Sequence, residues 1–548
     1  MNSLLHVVSF LCSLLVVIAD WQFRSRPDLA PPRLNITVPA EGTSPGYLFV
    51  APFSGYSEVG NLHGPRQAAP YIFNDKGELV WSGYTYFSIW NANFQTAKLH
   101  GEDVLFSFEG DHNPSYGHGH GHVTLLNNKY ETIREIRAGN HKLSDKHEFQ
   151  ILNEKTAVIQ IHQPIPYDLG PFGGTKKQQW IVNSIFQELD IETGKVLFEW
   201  SSLDHVSPHE TVFSVKDGLV GFGHNSSDAW NYFHINSIDK DSDGNYLLSA
   251  RICSSIYKIN GRTGEVMWKL GGLPGITSSS FTSVGNFTFS FQHHARYLET
   301  SADKSKQVIS LFDNSAHGSE NKDGKVKLNG ISSGKIIEVD TKSWEATLLY
   351  NAKAPYNLSV KSQGSAQVLP NKNVLVNWGS SGAVTEYDAN EKIIFHAFLD
   401  SGAIADKVEN YRAFKYNWTG IPNEAIAVAS EYTPAGSTNV YVSWNGDTRT
   451  AYWKVWSLDN SGKWTLIDTV EKKGFETKIE VPEVHEKVLV QALNVYKKVL
   501  GKSEIVKTTK EVLPYIEEAE PDSGSIFEVD NLQSYFEWRK NEDSSVQF

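Results

Sequence analysis

Histidine returns at one recurrent place in this chain. Residues 146–152 read KHEFQIL, 233–239 read FHINSID, and 291–298 read FQHHARYL. His147, His234 and the pair His293 and His294 each stand just ahead of, or at the start of, a β-rich run, and Arg251 closes the next run, NYLLSA. Neutral imidazole is a nucleophile and titrates near physiological pH, so it serves equally as nucleophile, acid or base. Arginine keeps its charge and offers a planar fork of donors that matches two oxygens at once. His234 and Asn236 are two apart, which on a strand places them on one face. The competing reading is structural: histidines that tie neighbouring elements together by hydrogen bonds.

Something must carry these residues to a common point. One pattern, a β-rich run, a polar turn at Asp or Asn, and a second β-rich run, occurs six times: YIFNDKGELVW from Tyr71, VTLLNNKYETIREI from Val123, FQELDIETGKVLFEW from Phe186, IYKINGRTGEVMWKL from Ile256, IIEVDTKSWEATLLY from Ile336 and VTEYDANEKIIFHAF from Val384. Each reads as two strands joined by a tight turn. Five have a further β-rich run upstream, DVLFSF, TAVIQI, NYLLSA, QVISLF and NVLVNW. Units of four strands repeated at tens of residues predict an all-β fold, a six-bladed β-propeller over residues 20–424. The innermost strand of a blade lines the central channel, so His147, His234 and His293 with His294 make one side of its mouth rich in imidazole, and Arg251 joins them. The corresponding stretches of the second and sixth units, NFQTAKL and GSAQVLP, hold no histidine. After Glu424 short alternating runs such as VYVSWNG and KVLVQALNV predict a small β-sandwich, immunoglobulin-like or fibronectin-III-like, over 425–512. Residues 513–548 form an acidic tail.

The chain has 548 residues and a formal net charge of -13, which argues against a nucleic-acid surface. Residues 1–19 form a mostly apolar run whose length suits a signal peptide, although its start lacks Lys or Arg, and no later run is apolar enough to predict membrane insertion. Acceptor sequons at Asn35, Asn225, Asn286, Asn357 and Asn417 fit a secreted glycoprotein. With Cys12 inside the signal, Cys253 is left alone and no internal disulfide is available.

The run from Phe233 to Gly272, FHINSIDKDSDGNYLLSARICSSIYKINGRTGEVMWKLGG, followed by FQHHARYL, resembles the arylsulfotransferase (ASST) family in its fungal-type branch. The resemblance covers 46–424. It implies a six-bladed propeller that moves a sulfuryl group from a phenolic sulfate donor to a phenolic acceptor through an N-sulfohistidine, with neither metal nor nucleotide cofactor. It carries the nucleophile to His293, within Gln292, His293, His294 and Ala295, with Gln292 and His294 beside it as substrate-binding residues. It likewise implies catalytic roles for His234, Asn236 and Arg251, and for His147 in its pairing with Glu148.

For that chemistry the residue types suit their places. A sulfuryl group in transfer spreads negative charge over three oxygens, which Arg251, His234 and Asn236 would meet, while His147 or His234 would protonate the departing phenolate. Two other signals are set aside. Asp239, Asp241, Asp243 and Gly244 open like a calcium loop, but the twelfth position is Ala250, where a bidentate acid belongs. His118, His120 and His122 share a strand face, yet no fourth ligand is evident for zinc or copper. The alternatives to a transferase are a secreted propeller that binds a glycan or protein partner without turnover, and a lyase or hydrolase using the same histidines. The sequence does not set an oligomeric state.

Overall fold

The computed structural model describes residues 20–55, 65, 67–88, 90–113, 116–318, 326–328, 330–399 and 408–511. The stretches read as a signal peptide, 1–19, and as an acidic tail, 513–548, lie outside the described residues, as does Cys12. The described fold is all-β: its helical pieces are one four-residue turn, Ser202–His205, and five short 3-10 turns.

Six sheets of four or five strands follow one another along the chain. All six strand-turn-strand lines of the sequence form antiparallel hairpins, from Tyr71–Phe73 with Leu79–Ser82 to Ala383–Tyr387 with Ile393–Phe398. The five upstream runs are the strands that precede them, and in each of these sheets one further strand stands ahead: Trp90–Leu99, Phe149–Leu152, Ile235–Lys240, His293–Thr300 and Ser365–Val368. In the first sheet that position is filled from the other end of the chain, by Phe414–Tyr416 beside Tyr47–Val50.

Strand alternation explains why these sheets stack. Tyr246, Leu248 and Ala250 share an apolar cluster with Val158 and Phe186 of the third sheet, whereas Leu247, between them, joins Ile309 and Ile337 of the fifth. Both faces of the fourth sheet are therefore buried against neighbours, which a strand achieves only when sheets lie face to face. The same holds all round: separate clusters join the first sheet to the second, the second to the third, the fifth to the sixth, and the sixth back to the first through Leu375 and Val384 against Leu48 and Tyr71. The strands that stand ahead of the second to sixth sheets touch one another in sequence, Phe414–Tyr416 touches Trp90–Leu99, and Gln367 in the last exchanges hydrogen bonds with the backbone of Lys415 at 3.2 and 2.8 Å. Trp81, Trp200 and Trp268 fill these intersheet layers.

Beyond Glu424 two further sheets face each other across one apolar core that contains Val440, Val442, Trp453, Val455, Ile479 and Val490. They adjoin the first two sheets: Asn445 exchanges two hydrogen bonds with the backbone of Ser82 in the first, at 2.8 and 3.0 Å, and Tyr130, in the hairpin turn of the second, donates to the Gly446 carbonyl at 2.7 Å. Cys253 is a buried free thiol. Among the sequons Asn225, Asn286, Asn357 and Asn417 are exposed and Asn35 is half-buried. Asp241 accepts backbone bonds from Asp243 and Asn245 at 3.0 and 2.8 Å and pairs with Lys258, as a turn residue does.

Candidate active site

His147, His234, Arg251 and His293 line one cavity, together with His317 and Tyr411. Its volume is about 40 Å³, room for about three water-sized groups and too little for an aromatic ring. Arg251 and His234 are brought together by the backbone, because Arg251 N donates to His234 O at 3.0 Å where the strand Tyr246–Ala250 ends. His234 sits just ahead of its strand with a left-handed φ of 58°. A non-glycine residue in that region costs about 1–3 kcal/mol and persists where surroundings dictate it.

The neighbouring strand start is irregular too. Phe291 and His294 have φ of 52° and 54°, and the register slips between His293 and Arg296. These breaks send successive side chains apart. His293 faces the cavity and donates Nδ1–H to Asn314 Oδ1 at 2.6 Å. The Asn314 amide is fixed in that sense by its own donations to the carbonyls of Val360 and Gln363, at 3.0 and 2.9 Å. The Nε2 lone pair of His293 is therefore the free one. Burial first, and the charge of Arg251 second, hold the His293 pKa well below its ordinary value, so the ring is neutral near pH 7.

His294 takes another course. Its Nδ1 bonds the Ala366 carbonyl at 3.1 Å and its ring lies on Phe414, between sheets. Gln292 is fully buried, with its amide donating to Ser249 Oγ, Ala250 O and Ser255 O at 3.1, 3.2 and 3.0 Å. Neither side chain lines the cavity. The expectation that Asn236 shares a face with His234 also fails, because the pairing slips between Ile235 and Ser237 and leaves Asn236 bulged. Its amide donates to the Gln292 carbonyl at 2.7 Å, so it holds the backbone next to His293.

On the opposite wall His147 gives its Nδ1 to a short bond with Asp145, whose carboxylate also accepts the His147 N–H at 3.0 Å. Nε2 of His147 then faces Nε2 of His234 at 3.2 Å, and His234 Nδ1 meets the Asn231 amide at 2.6 Å. Burial lowers the pKa of His147 while Asp145 opposes the shift; for His234 burial and then the charges of His147, His162 and Arg251 all lower it. Glu148, next in the chain, points away from the cavity into a fully buried ion pair with Arg412 at 3.1 Å and a contact to Arg296 at 2.7 Å. Arg412 extends the tie to Asn93 and the Asn236 carbonyl, at 3.0 and 2.7 Å, and Tyr411 OH bonds the His147 carbonyl at 3.0 Å. One buried network thus holds strands from five sheets in mutual register below the site.

A second cavity of about 490 Å³ shares Tyr116 with the first and is lined by His118, His162 and Pro164 among others. His118 stacks on His162 with ring centres 4.6 Å apart, whereas His122 contacts Glu109 at 3.5 Å; the glycine-rich run does not gather its three histidines on one point.

A family model described as Arylsulfotransferase (ASST) matches residues 95–399, more than half of the chain and all of His147, His234, Arg251 and His293. The chain belongs to the arylsulfotransferase family. No curated protein matches it. Solved structures similar to it include a protein of unknown function from Bacteroides caccae, at 11% identity, covering 68% of this chain and 98% of that one with a TM-score of 0.36. A streptogramin B lyase is similar at 10% identity over 70% of this chain and 98% of that one, TM-score 0.34. The hydrazine synthase of Kuenenia stuttgartiensis is similar at 11% identity over 64% and 80%, TM-score 0.30. Membership makes the chain arylsulfotransferase-like. The sequence pattern left out Tyr411 and His317, which line the cavity, and Asp145, Asn314 and Arg412, which hold its residues in place. No helix among the described residues is long and apolar enough to cross a membrane.

Proposed function

We propose that the six sheets are blades of a propeller, that residues 425–512 form a sandwich buttressing the first blade, and that the cavity performs sulfuryl transfer between phenols. The cyclic order of the intersheet clusters supports the architecture. One observation carries the chemistry: His293, neutral and tautomerically fixed by Asn314, presents its free Nε2 to a cavity that also contains Arg251.

In the first half-reaction the Nε2 lone pair attacks sulfur. The N–S bond forms, the bond from sulfur to the aryl oxygen breaks, and its electron pair stays on the phenolate. His147, whose imidazolium form the Asp145 carboxylate favours and whose Nε2 faces that of His234, supplies the proton to that oxygen and is left neutral. Arg251 meets the sulfuryl oxygens with a fixed positive charge that needs no reorganisation. In the second half the acceptor phenol returns a proton to His147, the phenol oxygen attacks sulfur, the N–S bond breaks and His293 is regenerated. No metal or nucleotide enters either half. The 40 Å³ cavity admits the sulfuryl group, and the larger neighbour of about 490 Å³, within the range of small-molecule sites, is where the aryl ring is accommodated. Gln292, His294 and Asn236 serve by holding the His293 segment rather than by touching substrate. The protein is read as secreted and glycosylated.

Mass spectrometry of the purified protein after brief exposure to 4-nitrophenyl sulfate, kept at neutral to basic pH, tests this. A gain of one SO3 on the peptide containing His293, absent in His293→Ala, is expected. Absence of both adduct and nitrophenol release over several aryl sulfates would move the reading to a ligand-binding propeller or to lyase or hydrolase chemistry.

A further inference from the structure

His162 lies behind the transfer cavity and has no part in the reaction above. Its ring meets those of His147 and His234 at centroid distances of 5.5 and 4.9 Å, and one nitrogen from each of the three falls within 4.8 Å of the others. All three residues are buried. The Nε2 atoms of His147 and His234 are 3.2 Å apart. Two imidazole nitrogens bound at about 2.0–2.1 Å to one tetrahedral zinc stand about 3.3 Å apart, so this pair already has ligand spacing. His162 needs to close by about 1.5 Å at most to join them, within reach of a rotation of its ring.

The surroundings also match what bound imidazoles require. A ring that gives one nitrogen to a metal carries its proton on the other and donates it to a carboxylate or carbonyl. For His147 the Asp145 carboxylate already occupies that position. For the other two the candidates are the amides of Asn231, 2.6 Å from His234 Nδ1, and Gln160, 2.7 Å from His162 Nε2. The side-chain oxygens of both amides are buried without a hydrogen-bond partner, and turning either amide presents that oxygen to the ring N–H. Entry is open from two directions, since His147 and His234 line the transfer cavity and His162 lines the larger one.

We propose that His147, His162 and His234 form a binding site for a divalent transition metal, zinc by its fit to three imidazoles, with the fourth coordination position open to the transfer cavity. Imidazole ligands suit zinc, copper and nickel, and three protein ligands with one open position is the arrangement of a reactive rather than a purely structural zinc site. Binding displaces the proton between His147 and His234 into solvent and withdraws both rings from proton transfer, so occupancy and turnover compete.

The test uses the full chain stripped with a chelator and titrated with ZnCl2 by equilibrium dialysis, with X-ray absorption at the zinc edge. One ion per chain with three nitrogen neighbours at about 2.0–2.1 Å is expected. His162→Ala is expected to weaken binding at least about 100-fold, and Asp145→Asn about 10- to 100-fold. His293→Ala is expected to bind zinc as the parent does, which separates this site from the transfer reading. Sub-stoichiometric zinc, a shell dominated by oxygen, or binding undiminished in His162→Ala overturns the proposal. The absorption measurement on the parent protein decides the matter even if His162→Ala does not fold.

Discussion

Asn314→Asp isolates the feature on which the transfer reading depends. Asn314 accepts the Nδ1 proton of His293 at 2.6 Å, and Asp would accept it too, so the tautomer that frees Nε2 survives. What changes is charge. In the parent protein, burial and Arg251 both disfavour the imidazolium of His293, so the ring stays neutral well below pH 6.5. A carboxylate within hydrogen-bonding distance favours the imidazolium and raises the pKa by about 1–3 units, a change of about 1.4–4 kcal/mol. Only the neutral ring attacks sulfur, so activity is present above the folded-state pKa and lost as pH falls through it. The acid limb of kcat/KM for 4-nitrophenyl sulfate is therefore expected to move up by about 1–3 units, with the plateau above it largely retained. The substitution also turns two donations, to Val360 and Gln363, into oxygen-oxygen contacts, which cost about 1–3 kcal/mol of stability each. Melting must be followed in parallel. A folded Asn314→Asp protein whose acid limb stays where the parent has it would refute the assignment of His293 as nucleophile.

Other consequences follow from the same geometry. Arg251→Ala is expected to lower kcat about 100- to 1000-fold in the nitrophenol assay while leaving the melting curve close to that of the parent, with Arg251→Lys intermediate. Glu148→Ala leaves the fully buried Arg412 guanidinium without its counter-ion and is expected to cost about 3–5 kcal/mol in denaturant unfolding; Glu148→Gln should cost less. Acid should destabilise the fold strongly: His234, His293, His294, His317 and His396 are buried with lowered pKa values, His396 to about 4. Below pH 6.5 the unfolded chain binds protons that the folded chain refuses, so stability falls with pH. At pH 5.5 each such group costs about 1.4 kcal/mol, and five cost about 7, comparable with the whole stability of a domain. Unfolding free energies that do not drop between pH 7.5 and 5.5 would contradict the neutral, buried state of these rings.

The strands were legible because each carries its own signal. A hairpin such as IYKINGRTGEVMWKL needs only alternation and a turn, both local, and it forms where the sequence places it. The first sheet was less legible: its remaining strand, Phe414–Tyr416, comes from some 340 residues downstream of Tyr71–Phe73, and nothing local in RAFKYN marks it as the partner of Tyr47–Val50. Long-range pairing of this kind leaves no periodicity to read.

The site was legible by the same logic, and incompletely for the same reason. Arg251, just after its strand, lines the cavity, and the stretches after the corresponding runs in two other units carry polar residues that reach its histidines. After TAVIQI stands His162, and after QVISLF stand Asp313 and Asn314. His162 lies within the long strand Thr156–Pro166 and Asn314 directly follows the strand Lys306–Asp313, and each of these strands runs beside the one that His147 precedes or His293 begins. What alignment by repeat does not supply is the direction of a side chain. Gln292, His293 and His294 occupy one short segment, yet left-handed turns at Phe291 and His294 send His293 into the cavity and the other two into the walls. Likewise, the bulge after Ile235 takes Asn236 off the face of His234, and its amide donates to the Gln292 carbonyl. Arg412 donates to the Asn236 carbonyl at this bulge and the Asn236 amide holds the Gln292 carbonyl beside the second break, so the positions at which strand logic fails are those that set the direction of His293 into the cavity.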